Sequence, residues 1–346
     1  MKKQTVKFSS STTTLYFDTS FEHLEKLITK NNTVIITDEN VFRTNQKKFK
    51  GWNAIVLKAG EEYKIQATVD SIVAQLIAFG ADRKSFLVGA GGGVITDITG
   101  YVAGIYLRGV RFGFVPTSVL SMVDAAIGGK NGIDVGAYKN MVGLIRQPEF
   151  LLYDYSFLKS LPKEEWVNGF AEIIKHASIK DATMFKLLER HQPNNFSRDK
   201  ILLNKIIQRN ALLKSKVVQQ DEFESGERRL LNFGHTFGHA IENTYSLPHG
   251  HAVAIGMVIA CMISESYKKF KETNRVVSVI RKYGLPVYCS FDAEKVLAIM
   301  QSDKKKVKNV INYVLLEKIG KAVVQPVAID EIENILRQLE IRRSDS

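Results

Sequence analysis

Short β-rich runs alternate with longer mixed segments over the first 150 residues, and this alternation restricts the fold more than any other feature of the chain. The runs are TVIITD at 33–38, AIVL at 54–57, SFLVGA at 85–90 and FGFVPT at 112–117. Apolar strands separated by segments of helix length are typical of a parallel sheet covered by helices. We therefore predict a parallel α/β arrangement for this part of the chain.

The second half has a different pattern. After the Leu161–Pro162 dipeptide, apolar residues recur at helical spacing in PKEEWVNGFAEIIKHASI and in KILLNKIIQRNALLKSKVV. A β-like run at 313–327 predicts a hairpin, and the segment 329–339 predicts a helix. A chain of 346 residues is also longer than one core usually organises. We predict two domains, 1–160 and a mainly helical 161–346.

Composition limits the class of protein. Hydrophobic residues make up 45% and charged residues 24%, as in ordinary globular proteins. The N-terminus lacks an apolar core of signal-peptide length, and no later segment holds eighteen uninterrupted apolar residues, so we expect a cytoplasmic protein without a membrane partner. Only two cysteines occur, and their separation suggests neither a disulfide framework nor a cysteine zinc site. The net charge of +12 suits nucleic acid, an anionic surface or an acidic substrate, and charge alone does not choose among them.

A glycine cluster, GAGGGVITD, follows the third apolar run. It begins at Gly89 and leads into a helical pattern, so its amides are candidates to bind a dinucleotide pyrophosphate at a helix N-terminus. The third glycine of the GxGxxG pattern is Val94, and the cluster does not follow the first strand. A tight strand-to-helix turn without a ligand explains the residues equally well.

Two short segments, GHTFGH and PHGH, each contain two histidines close together. His235 and His239 are four residues apart, which places them on one helical face. A carboxylate from a separate helix, Glu172, would complete a three-ligand metal site of the glutamate and two-histidine type. Each of these residues taken singly is more often an ordinary hydrogen-bonded or solvated side chain.

Together, seven phrases of the chain resemble the 3-dehydroquinate synthase family in order and spacing over roughly residues 60–320. The phrases are GAGGGVITDITGYVAGIYLRGVRF, VPTSVLSMVDAAIGGKNG, YKNMVG, GFAEIIKH, RRLLNFGHTFGHAIE, HGHAVAIGM and SDKKK. The resemblance implies an α/β, Rossmann-like NAD domain followed by a mainly α-helical domain that holds the metal and the substrate. It also implies an active site in the cleft between domains and a homodimer.

The resemblance assigns cofactor residues one by one. Lys64 and Glu61 match the family's nucleotide-contacting GExxK, and Ser118 replaces the second threonine of a Thr-Thr cofactor position. The whole predicted NAD set is Asp38, Glu61, Lys64, Gly91, Gly92, Gly93, Asp97, Thr117, Ser118, Lys130 and Lys139. The implied metal ligands are Glu172, His235 and His249, with zinc as the expected ion and cobalt as the alternative.

The resemblance also assigns residues to an anionic sugar phosphate. The implied substrate set is Arg108, Asp124, Lys130, Lys139, Asn140, Lys175, Lys214, Arg228, Asn232, His239 and Lys304 or Lys305. Within it, the expected catalytic residues are Lys175, Asp124, His239 and Lys130. Arg108 matches an arginine that reaches across from a partner subunit. His251 stands where the family has a glutamate, and we expect the change to remove a carboxylate that orients a metal-binding histidine.

The implied reaction converts 3-deoxy-D-arabino-heptulosonate 7-phosphate into 3-dehydroquinate and phosphate, a step of the shikimate pathway to aromatic amino acids. Transient oxidation by NAD acidifies a proton, phosphate leaves, the hydride returns, and an intramolecular aldol reaction closes the ring. A substrate with a carboxylate and a phosphate needs several fixed cations, which agrees with the basic composition.

Three other hypotheses remain at this point. A metal-dependent polyol dehydrogenase shares the glycine loop and the histidine site, but it would not need Lys130, Lys214 and Arg228. A sister sugar-phosphate cyclase stays open because of Asn131 in GGKNG and His251. A nucleic-acid binder would need a basic face with stacking aromatics, and the sequence has no such motif, so we expect no nucleic-acid partner.

Overall fold

The computed structural model describes residues 2–136, 138–302 and 309–344. The chain forms two compact units, each built from two stretches of sequence. Unit 1 contains Met1–Trp166 and Asp199–Phe223, and unit 2 contains Val167–Arg198 and Glu224–Ser346. The segment 199–223 therefore belongs with the N-terminal part, whereas the sequence-based division assigns it to the second domain.

Unit 1 is an α/β unit. Its first elements are β1 (Lys2–Lys7), β2 (Thr12–Phe17), β3 (Thr33–Asp38), α1 (Glu39–Thr44), α2 (Gln46–Phe49), β4 (Asn53–Leu57) and α3 (Gln66–Ala78). Its next elements are β5 (Phe86–Gly91), α4 (Gly93–Ile105), β6 (Arg111–Pro116), β7 (Lys130–Val135), β8 (Tyr138–Ile145) and β9 (Phe150–Leu152).

Seven of these strands form one sheet in the order β1-β2-β9-β6-β5-β3-β4. Only the pair of β1 and β2 is antiparallel. The residues of β5 are all buried, as are all but the last of β3, which is typical of central parallel strands covered on both faces. The parallel α/β prediction is confirmed.

The strand order determines where a ligand would bind in unit 1. Five of the six parallel strands, β3, β4, β5, β6 and β9, follow the doubly wound order 2-1-3-4-5 when numbered along the chain. In that order, the connections leave β3 and β5 in opposite directions, which creates a crevice beyond their carboxyl ends. Asp38 ends β3 and Gly91 ends β5. The topology explains why the glycine cluster follows the third apolar run.

The β7–β8 hairpin lies outside the large sheet and packs against α4. Two glycines of α4 allow this contact, because a Cβ at Gly100 would overlap the Asn131 side chain and a Cβ at Gly104 would overlap Leu144. Asn131 donates hydrogen bonds to the backbone carbonyls of Gly129 (2.7 Å) and Arg146 (2.9 Å). The Asn131 side chain therefore holds the hairpin in place.

Four helices follow the hairpin and β9. They are α5 (Lys163–Lys180), α6 (Ala182–Arg190), α7 (Pro193–Arg198) and α8 (Lys200–Gln220). The first turn of α5 and the whole of α8 lie in unit 1, and the rest lies in unit 2. The helix predictions for both long amphipathic stretches are confirmed by α5 and α8.

Unit 2 is mainly helical. It continues with α9 (His235–Tyr245), α10 (His249–Lys268), α11 (Thr273–Lys282), α12 (Ala293–Ser302), β10 (Val310–Lys318), β11 (Lys321–Ala328) and α13 (Ile329–Ser344). β10 and β11 pair as an antiparallel hairpin, which confirms the predicted hairpin and the helix after it. Within the described residues, α10 alone has the length and apolar character to cross a membrane, and 72% of that apolar stretch is buried, as in a core helix.

Candidate active site

The glycine loop of unit 1 leaves a helix N-terminus open. Gly92 is the N-cap of α4, and no side chain among the described residues hydrogen-bonds the first turn as a cap. A Cβ at Gly91 would overlap Ile95, and one at Gly93 would approach the Ala125 Cβ to 3.3 Å. Side chains larger than glycine would therefore crowd this turn. Amides at a helix N-terminus without a side-chain cap suit a pyrophosphate.

The predicted cofactor residues Thr117 and Ser118 lie beside this loop. The Thr117 N–H donates to the Gly91 carbonyl at 2.9 Å. The Ser118 hydroxyl lies 3.0 Å from the Ser121 hydroxyl and accepts a hydrogen bond from the Ser121 N–H at 3.1 Å. Both predicted residues are buried. The Ser118 side chain therefore shapes the wall next to the glycines.

Asp38 marks the neighbouring strand end. Its Oδ1 accepts hydrogen bonds from the N–H groups of Asn40 and Val41, both at 3.0 Å, so it caps α1. Burial raises the pKa of the Asp38 carboxyl, and the hydrogen bonds from Val41 and Asn40 oppose that rise. In doubly wound sheets that bind dinucleotides, a carboxylate near this edge can hydrogen-bond the ribose hydroxyl groups.

Lys64 contacts Asp97 of the predicted NAD set and Asn140 of the predicted substrate set. Its Nζ lies 2.7 Å from Oδ2 of Asp97 and donates at 2.7 Å to Oδ1 of Asn140, and Glu61 lies farther away at 3.8 Å. Burial by itself lowers the pKa of the Lys64 ammonium, but the charges of Asp97 and Glu61 more than offset this, so its pKa lies above its ordinary value. The fixed cation connects α4 to the β7–β8 hairpin.

The hairpin also presents other predicted residues. Lys130 begins β7 and is exposed, and Lys139 on β8 is half-buried. Asn140 has a positive φ of 55°, and its N–H donates to Oδ1 of Asp134 at 2.7 Å. Asn140 is therefore held by Lys64 and Asp134.

Asp124 and Lys214 form an ion pair inside unit 1. Lys214 on α8 lies 2.8 Å from Oδ1 of Asp124 and donates to the Asp124 backbone carbonyl at 2.8 Å. Asp124 belongs to a turn of π-helix at Ser121–Ala125. The α8 helix returns to unit 1 and so brings together two residues that are 90 positions apart.

Arg108 occupies a strained turn. The φ angles of Leu107, Arg108 and Gly109 are 50°, 67° and 121°, and the first two belong to residue types that rarely adopt positive values. Arg108 is exposed, and Leu107 is 40% exposed beside it. The turn directs an apolar and a cationic side chain into solvent.

In unit 2, a carboxylate and two imidazoles converge. Oε1 of Glu172 lies 3.3 Å from Nε2 of His249 and 3.7 Å from Nε2 of His235. One ligand atom from each residue lies within 4.8 Å of the others. The Glu172 side chain is fully buried. This donor set matches the two nitrogens and one oxygen that bind zinc with a position left open.

Three glycines allow these ligands to meet. Gly234, the N-cap of α9, has a φ of 82°, and a Cβ on Gly256 of α10 would overlap its carbonyl oxygen. A Cβ on Gly238 would approach the Ala252 carbonyl to 3.0 Å. Close approach of α9 and α10 brings His235 near the first residue of α10.

The Nδ1 atoms of both imidazoles contact acceptors. Nδ1 of His235 lies 3.2 Å from the Phe233 carbonyl, and Nδ1 of His249 lies 3.2 Å from Oε2 of Glu242. Burial, followed by the Lys175 charge, keeps the pKa of His235 well below its usual range. Burial also lowers the pKa of His249, but hydrogen bonds and charges of Glu172 and Glu242 raise it to about 10. Each ring therefore contacts an acceptor through Nδ1 and faces Glu172 with Nε2.

Lys175 and His239 adjoin this cluster. Lys175 follows Glu172 by one turn of α5, and its Nζ contacts the Glu172 carboxylate while its side chain is only 2% exposed. The ring centroids of His239 and His235 are 5.0 Å apart, which fits the prediction that they share a helical face. These predicted catalytic groups in unit 2 lie within reach of the metal-ligand set.

Other predicted substrate residues of unit 2 have different surroundings. Arg228 is 3% exposed, in the 3-10 helix Glu227–Asn232. The Asn232 amide donates to Oε1 of Glu224 at 2.6 Å. Lys304 and Lys305 lie outside the described residues.

Sequence reasoning missed Glu242. It follows His239 by three residues and His235 by seven, so the three side chains form a stripe on α9. That spacing was the available signal. For His249, the carboxylate contact comes from Glu242, whereas the sequence analysis looked for such a contact at position 251.

Comparison with known proteins gives concordant results. The family model for the 3-dehydroquinate synthase N-terminal region matches residues 54–168, and the C-terminal model matches residues 169–306. Among curated proteins, a 3-dehydroquinate synthase from Pyrococcus furiosus is 42% identical over 296 residues, which cover 85% of each chain. One from Pyrococcus abyssi is 39% identical over 287 residues, covering 82% of this chain and 85% of that protein.

A solved structure agrees over nearly the whole chain. It is ValA, a 2-epi-5-epi-valiolone synthase from Streptomyces hygroscopicus with NAD+ and Zn2+ bound. Its sequence is 28% identical, its TM-score is 0.87, and the alignment covers 99% of this chain and all of that one.

Proposed function

The chain belongs to the 3-dehydroquinate synthase family, and on this premise we propose that it converts 3-deoxy-D-arabino-heptulosonate 7-phosphate into 3-dehydroquinate and inorganic phosphate. The enzyme is a phosphate-eliminating carbon–oxygen lyase of aromatic amino acid biosynthesis, at the shikimate pathway step that forms the carbocycle. The observation that carries this proposal is that both family models match in succession, over 54–306, with close relatives of the same name.

The cofactors are NAD and a divalent metal, zinc first and cobalt as the alternative. Glu172, His235 and His249 would hold the metal, and the open N-terminus of α4 at Gly91–Gly93 would hold the NAD pyrophosphate. When bound, the metal supplies a Lewis acid for the oxidised hydroxyl, and NAD supplies a transient hydride acceptor. The convergence of two imidazole nitrogens on a fully buried carboxylate supports the metal assignment.

Around the nucleotide, we assign binding to Asp38, Lys64, Asp97 and the Thr117–Ser118 wall. The Lys64 ammonium is fixed by Asp97 and Asn140, so it is a positioned cation rather than a mobile one. Glu61, Lys130 and Lys139 complete the proposed set.

Lys175 is the group we assign to proton handling at the substrate hydroxyl. Its Nζ contacts Glu172 and its side chain is almost fully buried, so the proton on Nζ sits beside the proposed metal ligands. Asp124 and His239 are the other candidates for accepting or donating protons. All three can act only on atoms within hydrogen-bond reach in the bound complex.

Cations bind the two acidic ends of the substrate. Lys214 and Arg228 are assigned to the carboxylate, with Asn232, Asn140, Lys130 and Lys139 as further contacts, and Lys304 or Lys305 as the last cation. Lys214 and Arg228 are both buried, which argues against solvated surface charges. Holding the later intermediate in one geometry favours its ring closure.

We further propose that the enzyme is a cytoplasmic homodimer in which Arg108 enters the partner subunit's site. The strained Leu107–Arg108 turn supports this, since strain persists where the surrounding structure requires it and clusters at functional positions. Exposed apolar residues on the β7–β8 hairpin, Tyr138 at 70% and Met141 at 68%, would be covered if the hairpin lay in the dimer interface. We keep the domain division 1–160 and 161–346 as a proposal from the sequence; the two compact units differ from it because Asp199–Phe223 belongs to unit 1.

A substrate panel tests the proposed function. Purified protein with NAD and zinc would receive the heptulosonate phosphate, a heptulose phosphate without a carboxylate, or a hexose phosphate, and released phosphate would be measured. We expect release only from the carboxylated substrate. Release from either other substrate instead would support a sister cyclase, and no release from any of them would contradict the proposal.

A further inference from the structure

His249 begins a helix, and its ring contacts carboxylates from two other helices. The residue is the first of α10 and follows the N-cap Pro248 and a short connection that starts at Ser246, whose φ is 50°. Its Nε2 lies 3.3 Å from Oε1 of Glu172. A metal-binding histidine usually donates its other ring N–H to an acceptor, and this second contact sets the orientation of the ring.

Glu242 makes that second contact. Its Oε2 lies 3.2 Å from Nδ1 of His249, and the Glu242 residue is only 5% exposed. Glu242 and His235 are seven residues apart on α9, two helical turns on one face. The imidazole of His249 therefore lies between two buried carboxylates, one at each nitrogen.

The second imidazole has a matching arrangement. Nδ1 of His235 contacts the Phe233 carbonyl, which can only accept a hydrogen bond, so Nδ1 carries the proton. Nε2 of His235 then carries the lone pair on the side of Glu172. For His249, the Glu242 carboxylate accepts the Nδ1 proton, which leaves Nε2 as the nitrogen that faces Glu172 and would bind a metal.

Position 251 cannot supply the contact that Glu242 makes. In α10, residues 249 and 251 are two positions apart, which rotates their side chains by roughly 200° around the helix. Side chains at that spacing do not face each other. A carboxylate at 251 would point away from the His249 ring.

We propose that Glu242 is the positioning residue of His249. It accepts the Nδ1 proton, fixes the orientation of the ring and, through its charge, makes Nε2 a stronger metal ligand. This inference rests on the proposed function insofar as His249 binds a metal. The Glu242 carboxylate acts through His249 and touches neither metal nor substrate.

Metal affinity tests the proposal directly. Zinc dissociation constants of the full chain would be measured by chelator competition for the parent, Glu242→Gln, Glu242→Ala and the control Glu265→Gln. Glu265 is an exposed residue on α10, so its variant carries the same chemical change away from the cluster. We expect Glu242→Ala to weaken zinc binding about 10- to 100-fold, Glu242→Gln to weaken it less, and the control to match the parent.

Spectroscopy separates positioning from a general structural effect. The absorption of bound cobalt should change in both Glu242 variants, while far-UV circular dichroism of the metal-free proteins stays the same. Adding His251→Glu to Glu242→Ala should not restore the affinity. Restoration, or parent-like affinity and cobalt spectra in both variants, would overturn the proposal.

A measurement on the parent protein needs no folded variant. Nitrogen-15 NMR of the zinc-loaded protein with labelled histidine should find the His249 proton on Nδ1 and the zinc on Nε2. Zinc on Nδ1 would overturn the proposal even if Glu242→Ala failed to fold. A parent chain that binds no zinc or cobalt would instead remove the metal from the proposed function, and the positioning role with it.

Discussion

The ion pair between Lys64 and Asp97 provides a quantitative test of unit 1. The pair is 2.7 Å long, and the two side chains are 5% and 19% exposed. Removing one partner of a buried ion pair destabilises a protein by about 3 to 5 kcal/mol because it leaves an uncompensated charge. Asp97 retains some exposure, so Lys64→Met should cost about 3 kcal/mol, the lower end of that range.

Tryptophan fluorescence can measure this loss of stability in unit 1. Both tryptophans of the chain, Trp52 and Trp166, belong to unit 1, so urea unfolding followed by fluorescence reports on that unit. The measurement should be made without NAD, because Lys64 is also a proposed nucleotide ligand. Lys58→Met, at an exposed lysine, is the matched control and should lie within about 0.5 kcal/mol of the parent.

The double variant distinguishes a buried charge from lost packing. Lys64→Met with Asp97→Asn removes both charges, so it should recover most of the lost stability. Acid should also reduce the loss in Lys64→Met. There the unpaired Asp97 has a folded-state pKa above its unfolded value, and protonation then favours the folded state. A single variant as stable as the control, or a double variant no better than the single, would refute this reasoning.

Three further predictions concern other parts of the molecule. Arg228→Ala and Lys214→Ala should each lower kcat/KM for the heptulosonate phosphate roughly 30- to 5,000-fold, because losing a charged contact to the substrate costs about 2 to 5 kcal/mol. NAD affinity measured by titration should not change. Unchanged kinetics would count against the substrate role. Gly256→Ala should lower stability by about 1 to 3 kcal/mol and reduce zinc content, because its Cβ would overlap the Gly234 carbonyl; calorimetry and elemental analysis would measure both effects. Burial raises the pKa of Asp154, but hydrogen bonds from Lys48 and Ser156 lower it overall, so Asp154→Asn should lose stability at neutral pH. The gap from the parent should narrow as the pH falls below the unfolded value of about 3.9, and a gap independent of pH would contradict this.

Much of the fold could be predicted because central strands carry a strong local signal. β3 and β5 are almost continuously apolar, since both faces of a parallel sheet are covered. The amphipathic pattern of α5 likewise indicates a helix that buries one side. Strand β8 gives no such signal because most of its side chains are exposed. The sequence analysis therefore did not identify the β7–β8 hairpin.

Local sequence patterns could not predict which helices belong to each compact unit. The α8 helix follows unit 2 residues in the chain, yet it packs in unit 1, where Lys214 pairs with Asp124. That contact joins residues 90 positions apart, and periodicity shows only that α8 has an apolar face, not what covers it.

The site residues that match family motifs could be predicted, but contacts that depend on the packing of two helices could not. Glu172, His235 and His249 could be assigned from the family resemblance, and the structure brings them together. Glu242 could not be assigned, because its partner His249 is on another helix and the approach of α9 to α10 depends on glycine contacts. Asn131 kept a sister sugar-phosphate cyclase open as an alternative, and in the structure its side chain donates hydrogen bonds to the backbone carbonyls of Gly129 and Arg146, which flank the hairpin.

The redox balance of the reaction tests the central claim most directly. With NAD, zinc and the heptulosonate phosphate present, released phosphate and the absorbance of reduced nicotinamide would be followed together. Our account predicts that phosphate release requires NAD and continues over many turnovers without net NADH, because the hydride returns within each turnover. NADH formed in proportion to substrate consumed, with no phosphate released, would contradict the account and indicate a dehydrogenase.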